Sequence, residues 1–269
     1  MRIVYVPLDD RPLNYAAILR AAAIAETEIL VPPRDLVGLR DFTPSLLQQA
    51  QWLASKCDKS TYLILSLDAL LHGGLIQARS LRTDRERIDN AMILLSKLAE
   101  RTGDIHAYYV VKRLWGNVFH RKELDRTEDW GRFSQELAAE VRRSGRSAAD
   151  FYRLCGEGEC SIGQWPPDEL QTLARQRLEQ LEEERAVIRL CGKLGIQLHL
   201  AVEDCVPDGV QEVELEYLLE EHSGKGVTVA DGADEAGAVL LSGALMQATD
   251  GKPIPVIAVS YTHLTLPTN

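Results

Sequence analysis

The sequence lacks the short motifs that mark the common nucleotide, zinc-protease and serine-esterase sites. No GxGxxG follows a strand, and GxxxxGK[ST], HExxH and GxSxG are absent. Phosphate-binding glycine loops, paired zinc-binding histidines and the nucleophile elbow depend on those spacings. The sequence therefore gives no support for nucleotide binding of the usual kinds, zinc proteolysis or serine-esterase chemistry.

Basic residues are also scarce relative to acids. The chain has 30 Lys and Arg against 40 Asp and Glu, a net charge of −10. Binding to a nucleic-acid backbone needs clustered cations that neutralise phosphates, so we expect no nucleic-acid partner. A small molecule such as a sugar or polyol, or a cation-bridged ligand, suits this charge balance better.

Two further absences concern the compartment. The 5 cysteines are odd in number and scattered, unlike the framework of a secreted disulfide-rich domain. No apolar run is long enough to span a membrane, and Met1 leads directly into a strand without the architecture of a signal peptide. We therefore expect a cytoplasmic protein that has no membrane partner.

Short apolar runs alternate with amphipathic patterns, which predicts an α/β fold with a mostly parallel sheet. In a closed (β/α) barrel all strand ends face one mouth, whereas in an open doubly wound sheet only those beside the switch point form the site. Because at least four strand ends are polar, we favour a barrel-like arrangement, with the open sheet as the alternative. The predicted strands are Arg2–Val6, Glu28–Val31, Tyr62–Leu67, Ile105–Val111, Gln197–Val202, Val227–Ala230 and Pro255–Val259.

Helical patterns lie between these strands. One spans Asn14–Ala25, with Asn14 as a cap, and another spans Thr43–Lys56, with Thr43 as a cap. The others are Asp84–Arg101, Val213–Glu221 and Glu235–Met246.

A helical insertion at about residues 117–195 interrupts the alternation. It contains predicted helices at Glu128–Arg143 and Asp168–Leu194, and the charge run Glu179–Arg185 is typical of a solvated helix face. We expect the insertion to cover the pocket or to mediate association.

The end of the chain lacks the acidic, helix-rich composition of the rest. Residues Ser260–Asn269 (SYTHLTLPTN) closely resemble the translated sequencing adaptor found at the ends of metagenomic gene fragments. We therefore expect residues 1–258 to be one incomplete α/β domain that contains the insertion, and residues 259–269 to be a non-native tail.

Four polar blocks follow predicted strands, and strand ends of α/β proteins are where functional groups converge. We interpret Asp68, Glu203 and Asp204 as candidate acid/base groups, because paired carboxylates perform such chemistry. The alternatives are structural: an internal Asp–Arg pair, a hydrogen-bonding histidine and a helix cap. The candidate substrate-binding residues are Asp9, Asp10, Arg11, Asn14, His72, Gly73, Gly74, Arg79, Asp234 and Glu235.

The same blocks resemble the bacterial family of unknown function called DUF4127. The opening Leu-Asp-acid-Arg-Pro of that family matches Leu8–Pro12, and its Asp, Gly-Gly-Leu and Arg match Asp68, Gly73–Leu75 and Arg79. The third block of the family is an acid pair followed by Pro and Gly, which matches residues 203–209. The fourth is Gly-Ala-Asp-Glu, which matches residues 232–235. The family pattern carries Tyr where His72 stands and Asp where Glu203 stands. Family members are longer, so the resemblance implies an N-terminal fragment and no catalytic roles.

Three functions remain open at this stage. The leading hypothesis is a hydrolase that acts on a sugar or polyol through strand-end carboxylates, without a cofactor. The second is a hydrolase that binds Mg²⁺ or Mn²⁺ through Asp9 or Asp10, Asp68, Asp204 and Asp234. The third is a non-catalytic protein that binds a small molecule.

Overall fold

The computed structural model describes residues 2–39, 42–79, 84–114, 127–163, 167–203, 205–220 and 226–248. Its strands are β1 (Arg2–Val6), β2 (Ile29–Leu30), β3 (Thr61–Ser66), β4 (Asp104–Val111), β5 (Gln197–Val202) and β6 (Val227–Asp231). Its helices are α1 (Ala16–Ile24), α2 (Leu46–Lys56), α3 (Leu67–Leu71), α4 (Leu75–Ala78), α5 (Arg85–Arg101), α6 (Thr127–Ser144), α7 (Ala148–Glu157), α8 (Pro167–Leu194), α9 (Val210–Leu219) and α10 (Ala236–Ala248). The predicted seventh strand and the predicted tail lie outside the described residues.

The strands form one parallel sheet in the order β2-β1-β3-β4-β5-β6. Every neighbouring pair is parallel, which confirms the predicted α/β fold with a parallel sheet. Among the strands that the structure describes, β2 and β6 are the two edges and do not pair with each other, so this sheet is open. The preference for a barrel-like arrangement was therefore wrong, and the doubly wound alternative is correct.

Both faces of the sheet are covered, because successive strand side chains point to opposite sides. Val4 and Leu63 pack on one face against a large core that includes residues of α2, α5, α8 and α9. Ile3 and Tyr5 pack on the other face against α1 and α10. In the described part of the chain, no helix is long and apolar enough to cross a membrane.

The helical insertion belongs to the larger core. Phe133 of α6, Tyr152 of α7 and Leu181 of α8 are buried in the same cluster as Tyr109 of β4 and Leu198 of β5. Helices α6 and α8 were predicted, whereas α7 was missed. Burial of these side chains makes the insertion a structural layer over the sheet.

Two predicted helix caps differ from the observed ones. Asn14 lies before α1 and donates its side-chain N–H to Asp9 Oδ1 at 2.9 Å. Helix α2 begins at Leu46, later than predicted, and its cap is Ser45, whose hydroxyl accepts from Gln48 N–H. Asn14 is therefore available to the site because its amide is not used to start a helix.

Helix α10 returns from the edge strand β6 to the middle of the sheet. It contacts β3, β4 and α1, and a Cβ added at Gly237 would overlap the buried Tyr5 hydroxyl. Glycine is thus required for the close approach of α10 to β1. This path carries the start of α10 across the carboxyl edge of the sheet.

Candidate functional site at the carboxyl edge of the sheet

The carboxyl ends of β1 and β3 lie beside the point where the chain changes direction across the sheet. From β1 the chain moves outward to β2, and from β3 onward it moves the opposite way to β6. Open α/β sheets bind ligands in the crevice at such a switch point. The sequence candidates around Asp9 and Asp68 follow these two strands.

The first polar group at this edge is centred on Arg11. Its Nε donates to Asp9 Oδ2 at 2.8 Å, and its Nη1 donates to Asp234 Oδ2 at 2.9 Å. Asp9 is buried and also accepts from Asn14, whereas Arg11 is 44% exposed. Although burial opposes it, the charges of Asp9 and Asp234 raise the pKa of Arg11. Arg11 of the block after β1 and Asp234 of the block after β6 therefore lie together at this edge.

Asp10, Gly73 and Gly74 border the site on the side next to β2. Asp10 pairs with Arg34, and its backbone N–H donates to Gly38 O at 3.0 Å. Gly73 and Gly74 have φ of +96° and +148°, and a Cβ on Gly38 would overlap Gly73 O. The glycines thus allow the chain after β3 to touch the segment between β2 and α2 and the end of β1.

The second polar group is centred on Glu203, at the end of β5. Arg79 Nε donates to Glu203 Oε2 at 3.2 Å, and the Arg79 Nη2 group contacts the other oxygen. Arg113 reaches the same carboxylate through its backbone N–H at 3.2 Å and its Nε at 3.4 Å. Sequence reasoning missed Arg113, although Lys112 and Arg113 follow an apolar strand in the same way as the acids do.

The two groups are electrostatically coupled through Arg79. Burial, followed by the positive charges of Arg113 and Arg11, lowers the pKa of Arg79 to about 10. The segment that leads to Arg79 also lies against the end of β1, since a Cβ on Gly74 would lie 3.4 Å from Leu8 O. The edge therefore brings together three guanidinium groups and the carboxylates of Asp9, Glu203 and Asp234.

Asp68 lies beneath this edge rather than on it. Its side chain is fully buried, and Oδ2 accepts from Val110 N–H at 2.9 Å. Oδ1 lies 3.5 Å from Lys112 Nζ, which is also buried. In this position Asp68 has no exposed surface, and its place in the fold is that of a buried ion-pair partner.

Part of the charge run on α8 is buried against β4. Glu184 lies 3.2 Å from Lys112 Nζ, and Glu183 lies 2.8 Å from His72 Nε2. Tyr109 donates its hydroxyl to Glu183 at 2.9 Å. The expectation of a solvated face holds for Glu179 and Glu182, which are about half exposed, and was wrong for Glu183 and Glu184.

The remaining sequence candidates are Glu235, Asp204 and a metal site. Glu235 is exposed at the start of α10, and Asp204 lies outside the described residues. Within the described ranges, no three His, Cys, Asp or Glu side chains are grouped so as to hold a metal ion. Asp9, Asp68 and Asp234 face Arg11 or Lys112 instead. The magnesium or manganese hypothesis stays a prediction.

Glu184 predicts a pH dependence of stability. Burial raises its pKa to about 7, although Lys112 and Arg177 act in the opposite direction. Since an unfolded glutamate has a pKa of about 4.3, the native state binds the extra proton between about pH 4.3 and 7. The contribution of Glu184 to stability therefore falls as pH rises through that window. We expect the unfolding free energy of wild type minus that of Glu184→Gln to fall by about 2 kcal/mol from about pH 5 to about pH 8.

Urea denaturation at both pH values measures this difference. Glu182→Gln on the same helix is the matched control, because Glu182 is 58% exposed, and it should show no such trend. A difference between wild type and Glu184→Gln that stays constant with pH would contradict the assignment.

Comparison with known proteins identifies the family of this chain but assigns it no function. The family model described as "Protein of unknown function (DUF4127)" matches residues 3–267. No curated protein matches the chain. One solved structure comes from work on carboxylesterases of the ammonia-oxidizing thaumarchaeon Nitrososphaera gargenis. It is 11% identical over 93% of this chain and 92% of that chain, with a TM-score of 0.36, too low to support an inference.

Proposed function

We propose a function for this chain, which belongs to the DUF4127 family of proteins of unknown function. It binds a glycoside of a sugar or related polyol at the carboxyl edge and hydrolyses the glycosidic bond. The observation that carries the proposal is the joining of side chains from several strand ends into one charged edge. Arg11 pairs there with Asp9 and Asp234, and Arg79 and Arg113 both pair with Glu203. Guanidinium groups only donate hydrogen bonds and carboxylates only accept them, whereas a hydroxyl does both. A ligand rich in hydroxyls therefore suits this edge.

Glu203 is the group to which we assign the chemistry. Two arginine side chains and the Arg113 N–H hold its carboxylate in one orientation. A fixed carboxylate serves as a nucleophile or as a base toward water in the cleavage of glycosides. Arg11 and Asp234 are 44% and 34% exposed, and we assign them to substrate binding.

The test is a screen of sugars, polyols and their glycosides with the intact chain, read by chromatography of the products. With an active substrate, Glu203→Gln should lower kcat by about 100-fold or more, because the fixed charge is lost. Glu212→Gln is the matched control, since Glu212 pairs with Arg142 at the surface and should leave kcat unchanged. Absence of both binding and turnover across the screen would refute the proposal.

A non-catalytic binding protein is the second candidate, and one observation favours it. Asp9, Glu203 and Asp234 are each paired with a guanidinium group, and Asp68 is inaccessible. An ionised carboxylate has no proton to donate to a leaving group. Binding of a sugar with no product formed would select this candidate.

A further inference from the structure

The apolar residues Leu39 and Phe42 lie side by side at the carboxyl edge of the sheet. They belong to the connection from β2 to α2, which leaves the sheet at this edge because β2 runs parallel to β1. Leu39 N–H donates to Phe42 O at 3.1 Å, and Phe42 N–H donates to Leu39 O at 2.8 Å. Two residues that exchange both hydrogen bonds in an antiparallel bridge carry their side chains on the same face. These side chains are 51% and 46% exposed, so the pair presents apolar surface to solvent.

Helix α4 holds the backbone of this pair. Gln77 Nε2 donates to Leu39 O at 2.8 Å and to Phe42 O at 2.9 Å. Ile76, the residue before Gln77, is 45% exposed and adds a third apolar side chain. We call Leu39, Phe42 and Ile76 the apolar ridge. Because Gln77 fixes both sides of the bridge, little ordering is needed when a ligand binds to the ridge.

The residues on either side of the bridge touch the border of the candidate site. Gly38, directly before the bridge, accepts from Asp10 N–H at 3.0 Å. Thr43, directly after it, is so close to Gly73 that a Cβ on that glycine would lie 2.6 Å from Thr43 Cγ2. Neighbouring Cα atoms are about 3.8 Å apart, so each half of the bridge lies one residue from the border. Arg11 directly follows Asp10, and the ridge therefore adjoins the charged edge.

The composition of the ridge indicates the kind of group that binds there. Single exposed apolar side chains are common on protein surfaces and need no explanation. The apolar ridge differs, because two of its members are cross-strand neighbours and the third adjoins the side chain that holds them. Charged groups suited to hydroxyls on one side and apolar side chains on the other match a ligand that has a polar part and an apolar part.

We infer that the apolar ridge binds the aglycone, the non-sugar group of a glycoside, and that this group is apolar. The sugar lies at the charged edge and the aglycone covers Leu39, Phe42 and Ile76, which determine specificity. The inference rests on the proposed function for the position of the sugar. The three side chains carry no group that transfers a proton, so the ridge contributes binding and no chemistry. Such binding changes KM and leaves kcat unchanged.

The first test compares the methyl, butyl and hexyl glycosides of a sugar that binds in the screen, by calorimetry with the intact chain. Each methylene group that the ridge covers should strengthen binding by about two- to fourfold. Leu39→Ser combined with Phe42→Ser should remove most of this increment and leave the affinity for the methyl glycoside unchanged. Ile93→Ser is the matched control, because Ile93 of α5 is 53% exposed, and it should keep the increment. An increment that is absent in wild type, or that persists in the double variant, would overturn the inference.

The second test needs no sugar. In methyl NMR spectra of the intact chain, n-hexanol should shift the signals of Leu39 and Ile76 more than the signal of Ile93. Equal shifts at all three, or dimerisation of wild type that the double variant abolishes in sedimentation, would overturn the inference. A methyl glycoside that binds without any increment for longer chains would refute the ridge and leave the proposed function standing. Hexanol shifts at the ridge, with no glycoside of any length bound, would refute the sugar-binding function and leave the ridge supported as an apolar binding site.

Discussion

Replacing Arg177 by alanine is expected to lower the free energy of unfolding by about 3–5 kcal/mol, as for other broken buried ion pairs. Arg177 of α8 is buried, and its Nε donates to Glu214 Oε1 at 2.9 Å. Its Nη2 donates to the Lys112 carbonyl at 3.1 Å, and Glu214 also accepts from Tyr152. Without Arg177, the donor that remains to the fully buried Glu214 carboxylate among the described residues is the neutral Tyr152 hydroxyl, so the cost of burying the charge is no longer compensated.

Urea denaturation of two further variants separates this explanation from general damage to α8. Arg177→Met combined with Glu214→Leu removes both charges and should recover most of the lost stability. Arg153→Ala breaks a pair with Asp150 in which both side chains are about half exposed, and it should cost less than about 1 kcal/mol. A double variant as unstable as Arg177→Ala would mean that lost packing, and not an unpaired charge, causes the effect.

The parallel sheet could be predicted because its strands have a local signature. Runs such as Ile3–Val6 and Leu63–Leu65 are apolar at every position, which is required when both faces of a parallel sheet are covered. The polar residues that follow these runs also predicted where the candidate site lies. An apolar run and the polar residues after it are properties of one segment, so they could be recognised without knowing which segments pack against it.

Closure of the sheet could not be predicted from the number of polar strand ends. Strands β1 and β6 are separated by three strands, yet Asp234 reaches Arg11 because α10 crosses the edge of the sheet. The contact between the blocks after β1 and β6 thus arises from the path of the β6–α10 connection in an open sheet and does not require a barrel. No residue pattern within β6 encodes that path.

Buried charges were the other feature that the sequence concealed. Glu183 and Glu184 lie among exposed acids on α8, and their burial depends on Tyr109 and Lys112 of a distant segment. A local pattern of charge cannot distinguish such residues from their solvated neighbours. The basic pair Lys112 and Arg113 at the end of β4 was the available signal, because a strand end with two cations requires acidic partners.

For Asp68, the role expected from the sequence differs most from the position that the structure gives. A catalytic Asp68 would have to contact the ligand, and its replacement by asparagine would impair turnover while leaving the fold intact. The observed Asp68 is fully buried, between Val110 N–H and Lys112 Nζ. Although burial opposes it, Glu184 and Asp68 raise the pKa of Lys112, so the ammonium form is stabilised by both acids.

We therefore expect Asp68→Asn to lower the free energy of unfolding by about 3 kcal/mol, because it removes one charge from a buried pair. The asparagine oxygen can still accept from Val110 N–H, so the loss measures the interaction with Lys112 and not the backbone hydrogen bond. Asp234→Asn is the matched control: its ion pair with Arg11 is partly exposed and should contribute less than about 1 kcal/mol. Urea denaturation of the two variants decides the role. If Asp68→Asn unfolds at the wild-type urea concentration, Asp68 is not a structural ion-pair partner, and the catalytic interpretation regains its place.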